Sequence, residues 1–408
     1  MKHILAVLLL AAAAAAQRSD TRVVTLDAPD PLRAEIDEIM GELEKITGLA
    51  PLHRVEYTTI PRERLRAFLE ERVKEVVNPE EVRAEEAALK KLGFVPQNFD
   101  LTKTTVDLLT EQAAAFYDYK KKKLFMIGPG DMTQHSILVH ELAHALADQH
   151  FDLNEYVESG KENDDGAMAR LAAMEGQATW LMSEYLTNRT GQSMKDSPLL
   201  VKLMSNPANF EIGEFPVLKR VPLYLKESLL FPYTKGMIFQ HELFLKYGKE
   251  AFAEVFRNPP AGSHQILHPE RYLAGEKHVR PKAPEIERQD DYDEFTDGDL
   301  GEFDHAVLLK AYAGEDAAKE LAPALRGSYF KLFERKSDKR QVLAYASEWA
   351  SAEMAARFFE CYRKVLKGKW KKMRVTQDAP SRLSGTGDDG RFELRLEGTR
   401  VTSVEGLP

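Results

Sequence analysis

The sequence predicts an α+β protein, and three observations lead there. Residues 134–151 and 166–188 are long apolar-periodic stretches that read as helices. The run "AAAFYDYKKKKLFMI" just before the first of them reads as a hairpin, an apolar strand on each side of a charged turn. From about residue 305 onward, strand-like alternation is interrupted by one helix, 351–367. The 408 residues, 43% hydrophobic and 30% charged, are enough for a large core or for two domains. A net charge of −9 lacks the basic footprint of a nucleic-acid binder and mainly favours solubility.

The opening "MKHILAVLLLAAAAAAQ" has an early lysine, a short apolar run and small residues, the layout of a signal peptide over residues 1–17. An uncleaved anchor is the rival reading, but the apolar run is short for a span of ~20 residues. Export to the periplasm or the exterior is the expectation, with no stable membrane span after cleavage. The single cysteine, Cys361, excludes an intrachain disulfide and reads as a small buried hydrophobe. This pattern suits a bacterial envelope protein that relies on its core.

Residues 18–104 form an N-terminal α/β segment. In "DPLRAEIDEIMGELEKITG", Ile36, Ile39, Met40, Leu43 and Ile46 keep helical spacing, and Gly48 ends it. "LHRVEYTTI" alternates like a strand. Pro61 then opens a helix, and a charged helix over 80–92 follows. Residues 105–281 hold the hairpin and the two strongest helices. Next, "FPVLKRVPLYLKESLLFPYTKGMIFQHELFLKYG" suggests two more helices separated near Pro232. "PPAGSHQILHPERYL" reads as a loop with a short helical end. Residues 282–304, acidic and rich in turn formers, read as a linker, and 305–408 as a small α+β accessory domain ending in a strand pair. The acidic run lacks the spaced ligands of an EF-hand, so calcium is the weaker reading there.

The chemistry gathers in "LVHELAHALADQHF". At ~100° per residue, His140, His144, Glu141 and Asp148 fall on one stripe of a helix otherwise covered by Leu, Val and Ala. Histidines four apart can point at one ion with Glu141 beside them, the H-E-x-x-H arrangement of zinc hydrolases. The bland reading is a helix with surface histidines. In "DDGAMARLAAMEGQATWLMSEYL", Glu175 shares its face with Leu171, Ala172, Ala178 and Met182. A carboxylate on an apolar face is costly unless it meets a cation or a dense set of donors. Two histidines and that carboxylate make a three-ligand catalytic zinc set; pairing with Arg170 is the alternative.

"VHELAH", with Glu175 in "MEGQAT" 31 residues after His144, resembles the gluzincin zinc peptidases, whose third ligand is a glutamate on a downstream helix. "FPYTKGMIFQHEL" resembles the "PYEKG" segment of their zinc aminopeptidase branch. That resemblance implies that Tyr233 stabilises the tetrahedral intermediate; a core tyrosine at a helix start is the other reading. It also implies a zincin-like catalytic core of edge hairpin, zinc helix, glutamate helix and helical lower half. Residues 105–275 further resemble uncharacterised bacterial proteins with HELTHALQDQHFDL-like helices and STEQILHPEKY-like loops. Departures from the gluzincin pattern are a longer gap before the glutamate, filled by "ESGKENDDG", and Thr179 where some members place a supporting acid. No G-x-M-E-N-type element precedes the zinc helix, which favours endopeptidase over aminopeptidase action.

The resemblance therefore implies a secreted zinc metallopeptidase acting on a peptide or protein substrate. One catalytic Zn²⁺ would be held by His140, His144 and Glu175, with Glu141 as general base. Asp148 would orient His144, or else serve as a cap. His264 and His268 would line the cleft, or else be ordinary loop histidines. The alternative is a zincin-fold binding or scaffold protein of the cell envelope, catalytically silent or self-inhibited.

Overall fold

The computed structural model describes residues 30–76, 78–128, 132–208 and 215–408. The leader reading therefore lies outside the described residues. The chain is α+β. Its longer helices are α1 (Pro31–Thr47), α2 (Leu65–Val76), α3 (Pro79–Leu92), α4 (Leu101–Gln112), α5 (Met132–Phe151), α6 (Asp164–Asn188), α7 (Leu223–Tyr247), α8 (Glu302–Tyr312) and α9 (Ala352–Lys369).

Capping explains where the first helix lies. Asp30 accepts the Arg33 N–H at 3.1 Å, Pro31 takes the first position, and Gly48 at φ +79° returns its N–H to Glu44. The apolar spacing buries Ile36, Ile39, Met40, Leu43 and Ile46. This face packs on α5 and α6. Cys361 is buried in α9 as a core side chain.

Two sheets organise the rest. The first has order β1-β3-β2, from β1 (Glu56–Ile60), β2 (Ala115–Asp118) and β3 (Lys123–Ile127). Strands β2 and β3 are the hairpin, paired antiparallel from Ala115↔Met126 to Asp118↔Lys123. β1 runs parallel to β3, so the N-terminal segment shares a sheet with the hairpin, and β2 is left at an edge against α5. The second sheet is antiparallel, in the order β4-β5-β6-β10-β9-β8-β7. Its strands are β4 (Tyr292–Gly298), β5 (Leu325–Arg335), β6 (Gln341–Trp349), β7 (Arg374–Ala379), β8 (Arg382–Gly387), β9 (Gly390–Glu397) and β10 (Arg400–Leu407), with α9 packed across β6, β9 and β10. One buried apolar cluster runs from Ile36 to Val401 and joins helices and sheet into a common core. None of the described helices is long and apolar enough to cross a membrane.

Two expectations need correction. Residues 282–304 are not a linker throughout: Tyr292–Gly298 is the edge strand β4, paired with β5. Its acidic side chains face outward while Tyr292 and Gly298 are buried, so an edge strand with a solvated face reads as polar. Nor does Pro232 divide the segment into separate helices, because α7 runs unbroken through it. The proline lacks the N–H that would bond one turn back. Burial of Leu230, Phe231, Met237 and Phe239, in a helix packed along α6, holds the segment helical across the gap.

Helices α6 and α7 cross at a pair of glycines. A Cβ placed on Gly176 would stand 2.5 Å from the Gly236 Cα, and one on Gly236 would stand 3.1 Å from the Gly176 Cα. Only glycine permits that approach, and it lies beside Glu175 and one turn from Tyr233.

Candidate metal centre

Helix α5 presents His140 and His144 one turn apart, and α6 presents Glu175 to both. His140 Nε2 lies 3.0 Å from Glu175 Oε2, His144 Nε2 lies 3.2 Å from that oxygen, and the two ring nitrogens are 3.1 Å apart. The three residues are only 4–8% exposed. Hydrogen bonding accounts for at most two of these three contacts, because each neutral imidazole offers one N–H and the carboxylate offers none. The spacing suits a shared cation: tetrahedral ligands ~2.0–2.1 Å from zinc stand ~3.3 Å from one another. The donor set, two imidazole nitrogens and a carboxylate oxygen, fits a transition metal.

Electrostatics agree with this convergence. Burial works to raise the Glu175 carboxyl, but His144 and His140 outweigh it and hold the group far below the usual range. Arg170 is engaged elsewhere, donating to the Tyr156 carbonyl and to Ser159 Oγ at 2.8 Å each, so it is no partner for Glu175.

Glu141 sits beside the triad, half-buried. Its Oε2 accepts the Tyr117 backbone N–H of β2 at 2.7 Å. Burial pushes its carboxyl up to about 7; His140 and the Tyr117 N–H pull down, and Glu175 pushes further up. Tyr233, within α7 rather than at a helix start, brings its ring centroid to 5.9 Å from that of His140. Burial, then the charges of Glu175 and Glu141, raise its phenol well above the ordinary value, so it remains a proton donor. Thr179 is buried and bonds back to the Glu175 carbonyl at 2.8 Å.

The remaining residues are placed differently from expectation. Asp148 is buried, but it accepts from Tyr117 Oη at 2.8 Å, Lys122 Nζ at 2.7 Å and the Leu153 N–H at 2.9 Å. It thereby ties the hairpin to the end of α5 rather than orienting His144. His264 and His268 belong elsewhere. His264 lies against Asp165, and Asp165 precedes Glu175 by ten residues of one helix, or ~15 Å at 1.5 Å per residue. His268 Nε2 pairs with the buried Glu302 at 2.7 Å. Both are held by tertiary contacts that no local spacing announces. Tyr117 was missed because its contribution is a backbone amide; the only signal was the hairpin's position just before the helix that carries His140 and His144.

A domain of unknown function (DUF8575) matches residues 289–408, which contain the whole seven-stranded sheet and none of His140, Glu141, His144, Glu175 or Tyr233. No curated protein and no solved structure matches the chain.

Proposed function

We propose that the chain is an exported zinc-dependent peptidase of gluzincin type, built on a zincin-like core. The observation that carries this reading is the meeting of the buried side chains of His140, His144 and Glu175 at 3.0–3.2 Å. A zinc ion held by these three residues would supply Lewis acidity, lowering the pKa of water and polarising a carbonyl. Glu141, with a carboxyl near 7, takes a proton from the attacking water and returns it to the leaving amine. Tyr233 keeps its proton and donates a hydrogen bond to the oxygen on which negative charge develops. Strand β2 is an edge whose Tyr117 amide already faces the site. The alternation of a strand puts the Ala115 amide and carbonyl on the same side, where an extended peptide can add. Export rests on the leader-like opening of the sequence.

One observation favours a self-inhibited form as the second reading. The three ligands are 4–8% exposed and all four residues of β2 are buried, so an extended substrate requires the cleft to open.

Digestion of a broad peptide library by the whole chain, with and without chelator, tests both. Cleavage that chelator abolishes is expected. In Glu141→Gln, turnover is expected to fall ~10²–10⁴-fold while zinc content stays the same. Unchanged turnover in that variant refutes the assignment. Cleavage seen only after trimming favours self-inhibition, and stoichiometric zinc without cleavage under any condition favours a scaffold.

A further inference from the structure

The first turn of α6 begins a second convergence of ligand atoms. Asp164 and Asp165 are buried there, and Asn163 caps the helix by accepting the Gly166 N–H at 2.8 Å. The short helix Ser263–Leu267 lies against this turn, with the Ser263 N–H donating to Asp165 Oδ1 at 3.0 Å. His264 is 1% exposed, and its Nε2 lies 3.1 Å from the Glu276 carbonyl. A carbonyl can only accept, so Nε2 carries the proton and Nδ1 presents a bare lone pair. That Nδ1 has no hydrogen-bond partner among the described residues. Neither has Nε2 of His278, whose ring stacks on that of His264 with centroids 3.7 Å apart and planes at 14°.

Asp165, His264 and His278 each bring one ligand atom to within 4.8 Å of the other two. The two imidazole nitrogens are buried without a partner, and the Asp165 carboxylate beside them meets the Ser263 N–H, so a positive centre among the three would satisfy both lone pairs and the charge. Further carboxylates stand close by. Asp299 accepts the Asp164 N–H at 2.8 Å, and Asp304 accepts the Gly301 N–H at 2.8 Å. The backbone closes directly round the Asp165 carboxylate: a methyl group at Gly262 or Gly301 would run into it.

We propose that Asp165, His264 and His278 bind a second divalent transition-metal ion of the zinc class, ~15 Å along α6 from the first centre. Two imidazoles and a carboxylate are a donor set for such an ion, and the Glu276 carbonyl is the outer partner that fixes the His264 tautomer. The ligands come from α6, from the helix at 263–267 and from the irregular segment after Glu276. The ion fastens these against the Gly298–Gly301 turn that leads from the sheet into α8. Because the rings are stacked, an ion in the plane of His264 lies off the plane of His278. Loading therefore turns His278, which is half-buried and lies in the irregular segment.

The chain carrying His140→Ala isolates this site, because that change removes a ligand of the first centre. Stripped with chelator and dialysed against Zn²⁺, the variant is expected to hold one zinc per chain and to melt at a higher temperature than without metal. The double variant His140→Ala/His278→Asn is expected to hold none and to show no such shift, with far-UV circular dichroism reporting that it is folded. A His140→Ala chain that binds no zinc, or a double variant that still binds one, overturns the proposal. Anomalous scattering at the zinc edge, from Zn²⁺-soaked crystals of the unaltered chain, is the second measurement. A peak among Asp165, His264 and His278 is expected, and its absence overturns the assignment. Neither result depends on whether the first centre is catalytic.

Discussion

Gly176→Ala tests whether the close crossing of α6 and α7 sets the geometry of the His140–His144–Glu175 cluster. The added Cβ would stand 2.5 Å from the Gly236 Cα. Carbon atoms in contact stand ~3.5–4.0 Å apart, so the helices must separate by ~1 Å or more. Helix propensity by itself predicts the opposite sign, a gain of ~1 kcal/mol for alanine over glycine in a helix interior. Overpacking costs ~1–3 kcal/mol, and a clash with backbone puts this case at the upper end, so a net loss of up to ~2 kcal/mol is expected. Glu175 adjoins the substituted residue and Tyr233 lies one turn before Gly236, so the separation reaches both. A misplacement of ~1 Å at a reacting centre can lower turnover ~10²-fold. Gly41, in α1, is the control, because nothing lies within 4 Å of the Cβ it would gain, and Gly41→Ala is expected to stabilise. Urea unfolding of both variants, with zinc content and turnover of Gly176→Ala, gives the answer. If Gly176→Ala gains stability as Gly41→Ala does and keeps its turnover, the crossing does not position the site.

Three further outcomes follow from the structure. Tyr233→Phe is expected to lower turnover ~10²–10³-fold, as loss of an oxyanion donor does, while leaving zinc content unchanged; normal turnover removes Tyr233 from the site. Lys369 and Glu405 form a buried ion pair at 2.6 Å, with Tyr362 Oη donating to Glu405 at 2.8 Å and Lys369 Nζ to the Lys91 carbonyl at 2.8 Å. Lys369→Met leaves Glu405 buried and unpaired, so a loss of ~3–5 kcal/mol is expected in urea unfolding, and a loss below ~1 kcal/mol would show the pair to be dispensable. Burial pushes Asp304 up to about 7 from its usual 3.8, against the opposing pull of the Tyr224 hydroxyl and the Gly301 N–H. Raised in the fold, this group contributes stability that is fully present below about pH 4 and lost as pH rises through about 7, by at most ~4 kcal/mol. Unfolding free energy against pH should show that fall, and Asp304→Asn should flatten it; an unaltered slope in the variant refutes the assignment.

The first centre was largely legible from local pattern. A separation of four residues puts His140 and His144 on one helical face whatever surrounds them, and an acid on an apolar face made Glu175 conspicuous. The helix at 31–47 and the hairpin were legible for the same reason, since spacing, caps and turn charge act over a few residues. The second convergence was not. Asp165 stands 99 residues before His264, and His278 14 after it, and neither gap is a spacing that a single helix or turn brings together. Helix 223–247 was misread because the rule about proline is local, whereas burial along α6 is not. The edge strand β4 was misread because outward-facing acids conceal strand alternation.

By itself, the sequence determined the α+β class, the four-residue spacing of His140 and His144 on one helix and the acid to look for on the next, because these depend on periodicity within single elements. Only the tertiary structure decided that Glu175 meets both histidines, that the Tyr117 amide holds Glu141, that Asp148 serves the hairpin, and that His264 and His278 join Asp165 at a separate place. Each of those contacts depends on how close two separately formed elements come. That closeness is set by side-chain volume and by glycines such as Gly176 and Gly236, which no short-range pattern encodes.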